Sequence, residues 1–158
     1  MIKQGLTWAL AALSFLVISI ANAGETKIGS LVISEQNIRA TVASAKVAAG
    51  YLTIRNDGSE PDTLLGGTVD FAAKVDVHEM KMTDGIMKMR PLADGLAIPP
   101  GETVILKSGA EHLMFMKLKE PMTEGETRTV TLSFEKAGEV EVKFPVGSLS
   151  GEHSGHTH

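Results

Sequence analysis

Along most of the chain, apolar residues fall into short runs or strict alternation, never into a long helical stripe. In TVTLSF (129–134), Val130, Leu132 and Phe134 alternate with Thr129, Thr131 and Ser133, the period-two pattern of a strand with one buried face. Similar runs rich in Val, Ile, Leu and Thr recur at 28–33, 37–43, 48–56, 63–69, 73–82, 86–92, 102–106, 112–118, 128–135 and 139–146. The breaks between them include Asn56-Asp57-Gly58, Asp84-Gly85, Pro99-Pro100-Gly101 and Ala137-Gly138, all turn-forming clusters. No stretch beyond residue 23 holds a 3.6-residue apolar period long enough for a substantial helix. Many short strands at close spacing predict an all-β fold, either an antiparallel β-sandwich or a small barrel, in one domain without internal repeats.

The two ends break the pattern. Lys3 precedes an apolar stretch from Leu6 to Ile20, and Ala21-Asn22-Ala23 follows as a small-x-small cleavage site. This is the layout of a secretory signal peptide, residues 1–23, with the exported chain starting at Gly24 and no stable membrane anchor after cleavage. The stretch is shorter than the ~20 apolar residues that cross a bilayer. At the other end, SLSGEHSGHTH (148–158) lacks a strand pattern and reads as a flexible tail behind a domain spanning 24–147.

Composition then narrows the chemistry. The formal net charge is −4 and no basic cluster occurs, so nucleic acid and anionic membrane surfaces are poor partners. There is no cysteine. That excludes disulfides, catalytic thiols, thiolate zinc sites and blue-copper centres. Soft-metal chemistry in this chain has to use thioether sulfur.

The methionines are not spread evenly. Apart from Met1, all lie between 80 and 122: Met80, Met82, Met87, Met89, Met114, Met116 and Met122. Outside the tail, both histidines, His78 and His112, sit beside methionine clusters. If Asp84-Gly85 forms a two-residue hairpin turn, Met82 opposes Met87 and Met80 opposes Met89. His78, Met80, Met82, Met87 and Met89 then share one face. A three-residue loop would instead send Met87 and Met89 to the other face. In HLMFM, His112, Met114 and Met116 point one way, and Leu113 and Phe115 point toward the core. Singly, each methionine is ordinary core filling and each histidine ordinary structure. Packing alone, however, gives no reason to pair methionine with histidine twice. The joint pattern points to a soft-metal site, with copper the metal that thioethers select.

These residues also match a family. His78, ten residues, Met89, a gap, then His112-x-Met114 resembles the signature of the periplasmic copper chaperones called PCu(A)C. AAGYLTIRNDG, DVHEMKMTDGIMKMRPL, GAEHLMFMKLKEPM and TVTLSFEKAGEVEVKFPV resemble that family as well. One departure is visible: the gap between Met89 and His112 is one residue longer than the family's pattern. The resemblance implies a cupredoxin-like Greek-key β-sandwich binding one Cu(I) through His78, Met89, His112 and Met114. Met80 and Met116 would be accessory. It further implies a carrier in the bacterial periplasm that delivers copper to the CuA centre of cytochrome c oxidase subunit II, alongside a Sco-type protein. In members with a His-rich extension, the tail is associated with Cu(II). His153, His156 and His158 suit that ion by their imidazole chemistry, although imidazole serves other divalent metals too.

Two other functions are compatible with parts of the pattern. Copper sequestration would use the same site without a dedicated recipient. A hard-metal hydrolase would need Asp76 and Glu79 beside His78. Those two carboxylates fall on opposite faces of one strand, and the chain has no phosphate loop, nucleophile elbow or HExxH helix. The sequence therefore favours a non-enzymatic protein.

Overall fold

A computed structural model describes residues 24–150. The leader assigned to 1–23 and the tail histidines His153, His156 and His158 lie outside the described residues. Eleven strands and no helix occur among the described residues: β1 (Thr26–Ile28), β2 (Leu31–Arg39), β3 (Val47–Asn56), β4 (Asp62–Thr68), β5 (Ala72–Thr83) and β6 (Ile86–Pro91), then β7 (Leu96–Ile98), β8 (Thr103–Leu106), β9 (His112–Leu118), β10 (Thr127–Phe134) and β11 (Gly138–Gly147).

The pairings run β2-β11-β10-β4-β5-β9-β3, and β3 pairs back onto β2. Seven strands thus close into a ring, with β1, β8, β7 and β6 as extra partners on β2, β3, β4 and β5. All pairings are antiparallel except a short parallel one that joins Val146 to Ile38 and Gly147 to Arg39. The sheet is therefore barrel-like, one continuous surface rather than the two separate sheets of a sandwich. Closure leaves the ring without free edges. Its interior takes the alternating apolar set, with Ile33, Ile54, Leu64, Leu113, Phe115, Leu132 and Phe144 fully buried.

The sequence pattern reads differently in three places. The run 28–33 splits, because Gly29 at φ 54° turns the chain and pairs Ile28 with Leu31. Of the run 37–43 only Asn37 to Arg39 is strand, as the end of β2, which survives a register slip between Ser34 and Asn37. Glu35, at φ 54°, supplies the bulge. Strand β7 occupies only three residues between Gly95 and Pro99, too few to display alternation.

Two small groups fix the frame that carries β5 and β9. Gly50 on β3 packs so close to Phe115 that an added Cβ would lie 2.7 Å from the ring. The buried Asp62 carboxylate accepts three backbone N–H bonds, from Thr63 (2.7 Å), Lys136 (2.9 Å) and Ala137 (2.9 Å), and so ties the β10–β11 turn to β4.

Candidate metal centre

Strand β5 changes partners at His78. Its first part, Ala72 to His78, pairs with β9, and from His78 to Thr83 it pairs with β6. His78 is directly opposite His112 on β9 and Pro91 on β6. One residue cannot meet two partners on the same edge, so β9 and β6 flank β5 from opposite sides. The second half of β5 and all of β6 therefore form a two-stranded ribbon, and every β6 residue is exposed.

The register of that ribbon follows from its turn. Asp84 and Gly85 have φ of 52° and 77°, both left-handed, as a two-residue type I′ turn requires. Thr83 pairs with Ile86, Met82 with Met87 and Met80 with Met89. On the ring side, Met114 is opposite Asp76 and Met116 is opposite Lys74. Cross-strand partners share a face. His78, Met80, Met82, Met87, Met89, His112, Met114 and Met116 consequently all lie on one face of β6-β5-β9. Val77, Leu113 and Phe115 occupy the other face and are buried in the core.

Although this face points away from the core, three of its members are covered: His78 is 8 % exposed, His112 4 % and Met114 9 %. The two imidazole centroids are 6.0 Å apart at an interplanar angle of 47°. A metal–nitrogen bond of about 2.0–2.1 Å with about 1.1 Å more to each ring centre spans roughly 6.4 Å for two imidazoles on one ion in a straight line. A slightly bent pair fits the observed spacing.

The two histidines are prepared differently. His112 Nδ1 lies 3.0 Å from the Ala110 carbonyl oxygen. A carbonyl only accepts, so Nδ1 carries the proton and donates. In the neutral ring Nε2 then keeps its lone pair, and the ring is oriented as metal-ligating histidines usually are. His78 has neither arrangement. Both its Nδ1 and Nε2 are buried without a hydrogen-bond partner. Burial first, then the neighbouring His112, hold its pKa below the ordinary imidazole value; Asp76 opposes this and Lys74 adds to it. A neutral imidazole with a stranded lone pair has the donor chemistry to bind a metal.

Of the residues that sequence reasoning singled out, the fold brings His78, His112 and Met114 together in a buried group. Met89 shares their face, but it sits across β5 from His112, beside Met80, and is 49 % exposed. Met80 follows His78 on its own strand and is half-buried, as is Met116. Asp76 is ion-paired to Lys74 at 2.7 Å, and Glu79, on the opposite face, is paired to Arg90. Among the described residues, no group of three or more His, Cys, Asp or Glu could hold a metal ion. A metal at the histidine pair would have to complete its shell with thioether sulfur. Sequence reasoning missed the Ala110 carbonyl, which orients His112, and Pro91, which caps the other edge of His78. Neither carries a local signal, since each acts only through the strand register.

Fold and site together define a class, the all-β domain of PCuAC type. The copper-bound PCuAC domain from PmoF2 matches with a TM-score of 0.67 at 25 % identity, over 79 % of this chain and 98 % of that domain. The solution structure of CuI-DR1885 from Deinococcus radiodurans matches with a TM-score of 0.58 at 27 % identity, over 80 % of this chain and 83 % of that one. At the level of family, the model described as "Putative lipoprotein LpqE-like" matches residues 31–146, and the chain belongs to this LpqE-like family. A relative, "Putative lipoprotein Lxx21020" of Leifsonia xyli subsp. xyli (strain CTCB07), is 32 % identical over 109 residues, 69 % of this chain and 66 % of that protein. The chain spans just under two thirds of that relative's length.

Proposed function

We propose that this protein is an exported copper chaperone that holds one Cu(I) through His78, His112, Met114 and Met89. The observation that carries the reading is His78: a buried imidazole with both nitrogens unpartnered, 6.0 Å from a second imidazole that a backbone carbonyl already orients. Met114 is buried beside them, and Met89 closes the set from the exposed ribbon by its long flexible side chain. The copper-bound PmoF2 domain and the Cu(I) form of DR1885 support the choice of metal.

The ligand set suits transfer. Thioethers are soft and neutral and cannot be lost to disulfides outside the cytosol, and they hold copper more loosely than thiolates would. The proposed place of action is the bacterial periplasm, reached by the leader of residues 1–23. The proposed recipient is the CuA centre of cytochrome c oxidase subunit II, with a Sco-type protein acting on the same centre. The role is that of a carrier and not an enzyme. His153, His156 and His158 would add a separate Cu(II) site. The lipoprotein descriptions of the family and of the Leifsonia relative support export.

Competition for Cu(I) against a chromogenic chelator tests the site. One tight equivalent should vanish in His78→Ala and weaken in Met89→Leu, a swap that costs the fold less than about 1.5 kcal/mol. Parent-like binding by Met89→Leu would remove Met89 from the ligand set. Deleting residues 151–158 should abolish Cu(II) binding and leave Cu(I) binding intact. Mixing the loaded protein with an apo CuA domain tests delivery, and absence of transfer with and without reductant would favour sequestration.

A further inference from the structure

The proposed inner centre uses only one of the ribbon's four methionines. The others form a second group. Met82 and Met87 are direct cross-strand partners at the ribbon's end, and Met80 is the next residue inward on the same face. Ideal sheet geometry sets the Met82 and Met87 Cβ atoms about 4.5–5.5 Å apart, with Met80 about 7 Å along the strand. Each thioether sits on three rotatable bonds, so three sulfurs can converge on one point above the ribbon. Met82 is 58 % exposed and Met87 45 %. Here methionine fills no core, and an exposed strand is ordinarily built from polar or β-branched residues.

The back of the ribbon is charged. Glu79 is opposite Arg90, and Lys81 is directly opposite Lys88. One face thus carries ionic side chains that keep the ribbon in water, and the other carries neutral soft donors and no competing hard ligand. The left-handed φ values at Asp84 and Gly85 lock the turn at two residues, which keeps all these sulfurs on a single side.

We propose that Met80, Met82 and Met87 form an outer, all-thioether site for a soft monovalent cation, Cu(I) or its redox-inert analogue Ag(I). It lies one step outward from the His78/His112 pair. An ion landing there can pass inward by exchanging one thioether at a time, with Met89 shared between the two positions. The outer site stands on the ribbon geometry alone. Only its place as an entry and exit step rests on the inner copper centre proposed above.

The test is titration of the full chain, carrying 13C-labelled methionine methyl groups, with Ag(I). The first equivalent should shift the ring signals of His78 and His112. A second should shift the methyl signals of Met80, Met82 and Met87. The double variant Met82→Leu/Met87→Leu should weaken the second equivalent by at least about tenfold and leave the first unchanged. In His78→Leu the methionine shifts should persist. Their loss together with His78 would overturn the proposal, as would a second equivalent that moves only the tail imidazoles or none of the three methyls. Unchanged histidine signals at the first equivalent would refute the inner centre instead. The outer site would still be supported by methionine shifts that depend on Met82 and Met87.

Discussion

Replacing His78 by leucine should stabilise the metal-free protein while destroying the proposed metal centre. The residue is 8 % exposed and both ring nitrogens lack partners. Each buried polar group left unsatisfied costs about 1–3 kcal/mol, whereas an apolar side chain of similar volume at the same place carries no such cost. Part of the gain is offset by imperfect packing of a branched chain in a site shaped for a planar ring. The net expectation is a rise in unfolding free energy of about 1–3 kcal/mol, or roughly 3–10 °C in Tm for a domain of this size. Urea unfolding at pH 8 with a strong chelator measures it, since burial holds the His78 pKa below the ordinary imidazole value and m should not change. His112→Leu is the control. Its imidazole already donates to the Ala110 carbonyl, so its loss should be neutral or cost about 0.5–1.5 kcal/mol. Adding Cu(I) should reverse the order, because filling the proposed inner centre gives the parent about 4.1 kcal/mol at a free metal concentration of about 1,000 Kd, a gain that His78→Leu lacks. A metal-free His78→Leu less stable than the parent by more than about 1 kcal/mol would refute the reasoning, because it would mean the imidazole is well satisfied in the fold.

Other expectations concern the frame. Asp62→Ala removes a buried acceptor of three backbone N–H groups and should lower the urea-derived stability by about 2–4 kcal/mol. Gly50→Ala forces a Cβ against the Phe115 ring and should cost about 1–3 kcal/mol, with β9 amide shifts moving in NMR spectra. Arg128→Lys gives up bonds to Glu120 (2.6 Å) and Glu126 (2.7 Å) and a guanidinium 5.6 Å from the Phe71 ring centroid. It should cost about 1 kcal/mol in thermal unfolding, and less in high salt.

Much of this architecture was readable from the chain because a strand writes its burial into every second residue. His112-Leu113-Met114-Phe115-Met116 announced which members face inward, and Asp84-Gly85 offered a two-residue turn, but the face shared by Met80, Met82, Met87 and Met89 stayed open until the strand register decided it. Ring closure was not readable, since the β3–β2 and β11–β2 pairings join residues with no local mark of each other. The short strands β1 and β7 failed for lack of length. The most informative property of the site, the unpartnered ring of His78, was equally invisible. It is a fact about surroundings supplied by β9 and β6. The opposition of His78 and His112 likewise follows from register, and the 33 residues between them carry no trace of it.

The change of partner at His78 divides one strand between two levels of local stability. Up to that residue, β5 is bonded within a closed ring and opens only when the ring does. Beyond it, the ribbon is held by a single neighbour and its turn, with β6 wholly exposed. Its amides should exchange with solvent through small openings far cheaper than global unfolding, while those of Val75 and Val77 should exchange only with the core. A copper ligand set drawn from both sides of that divide would be anchored at one end and free to breathe at the other. Ion release could then begin from the ribbon without any strain reaching the barrel.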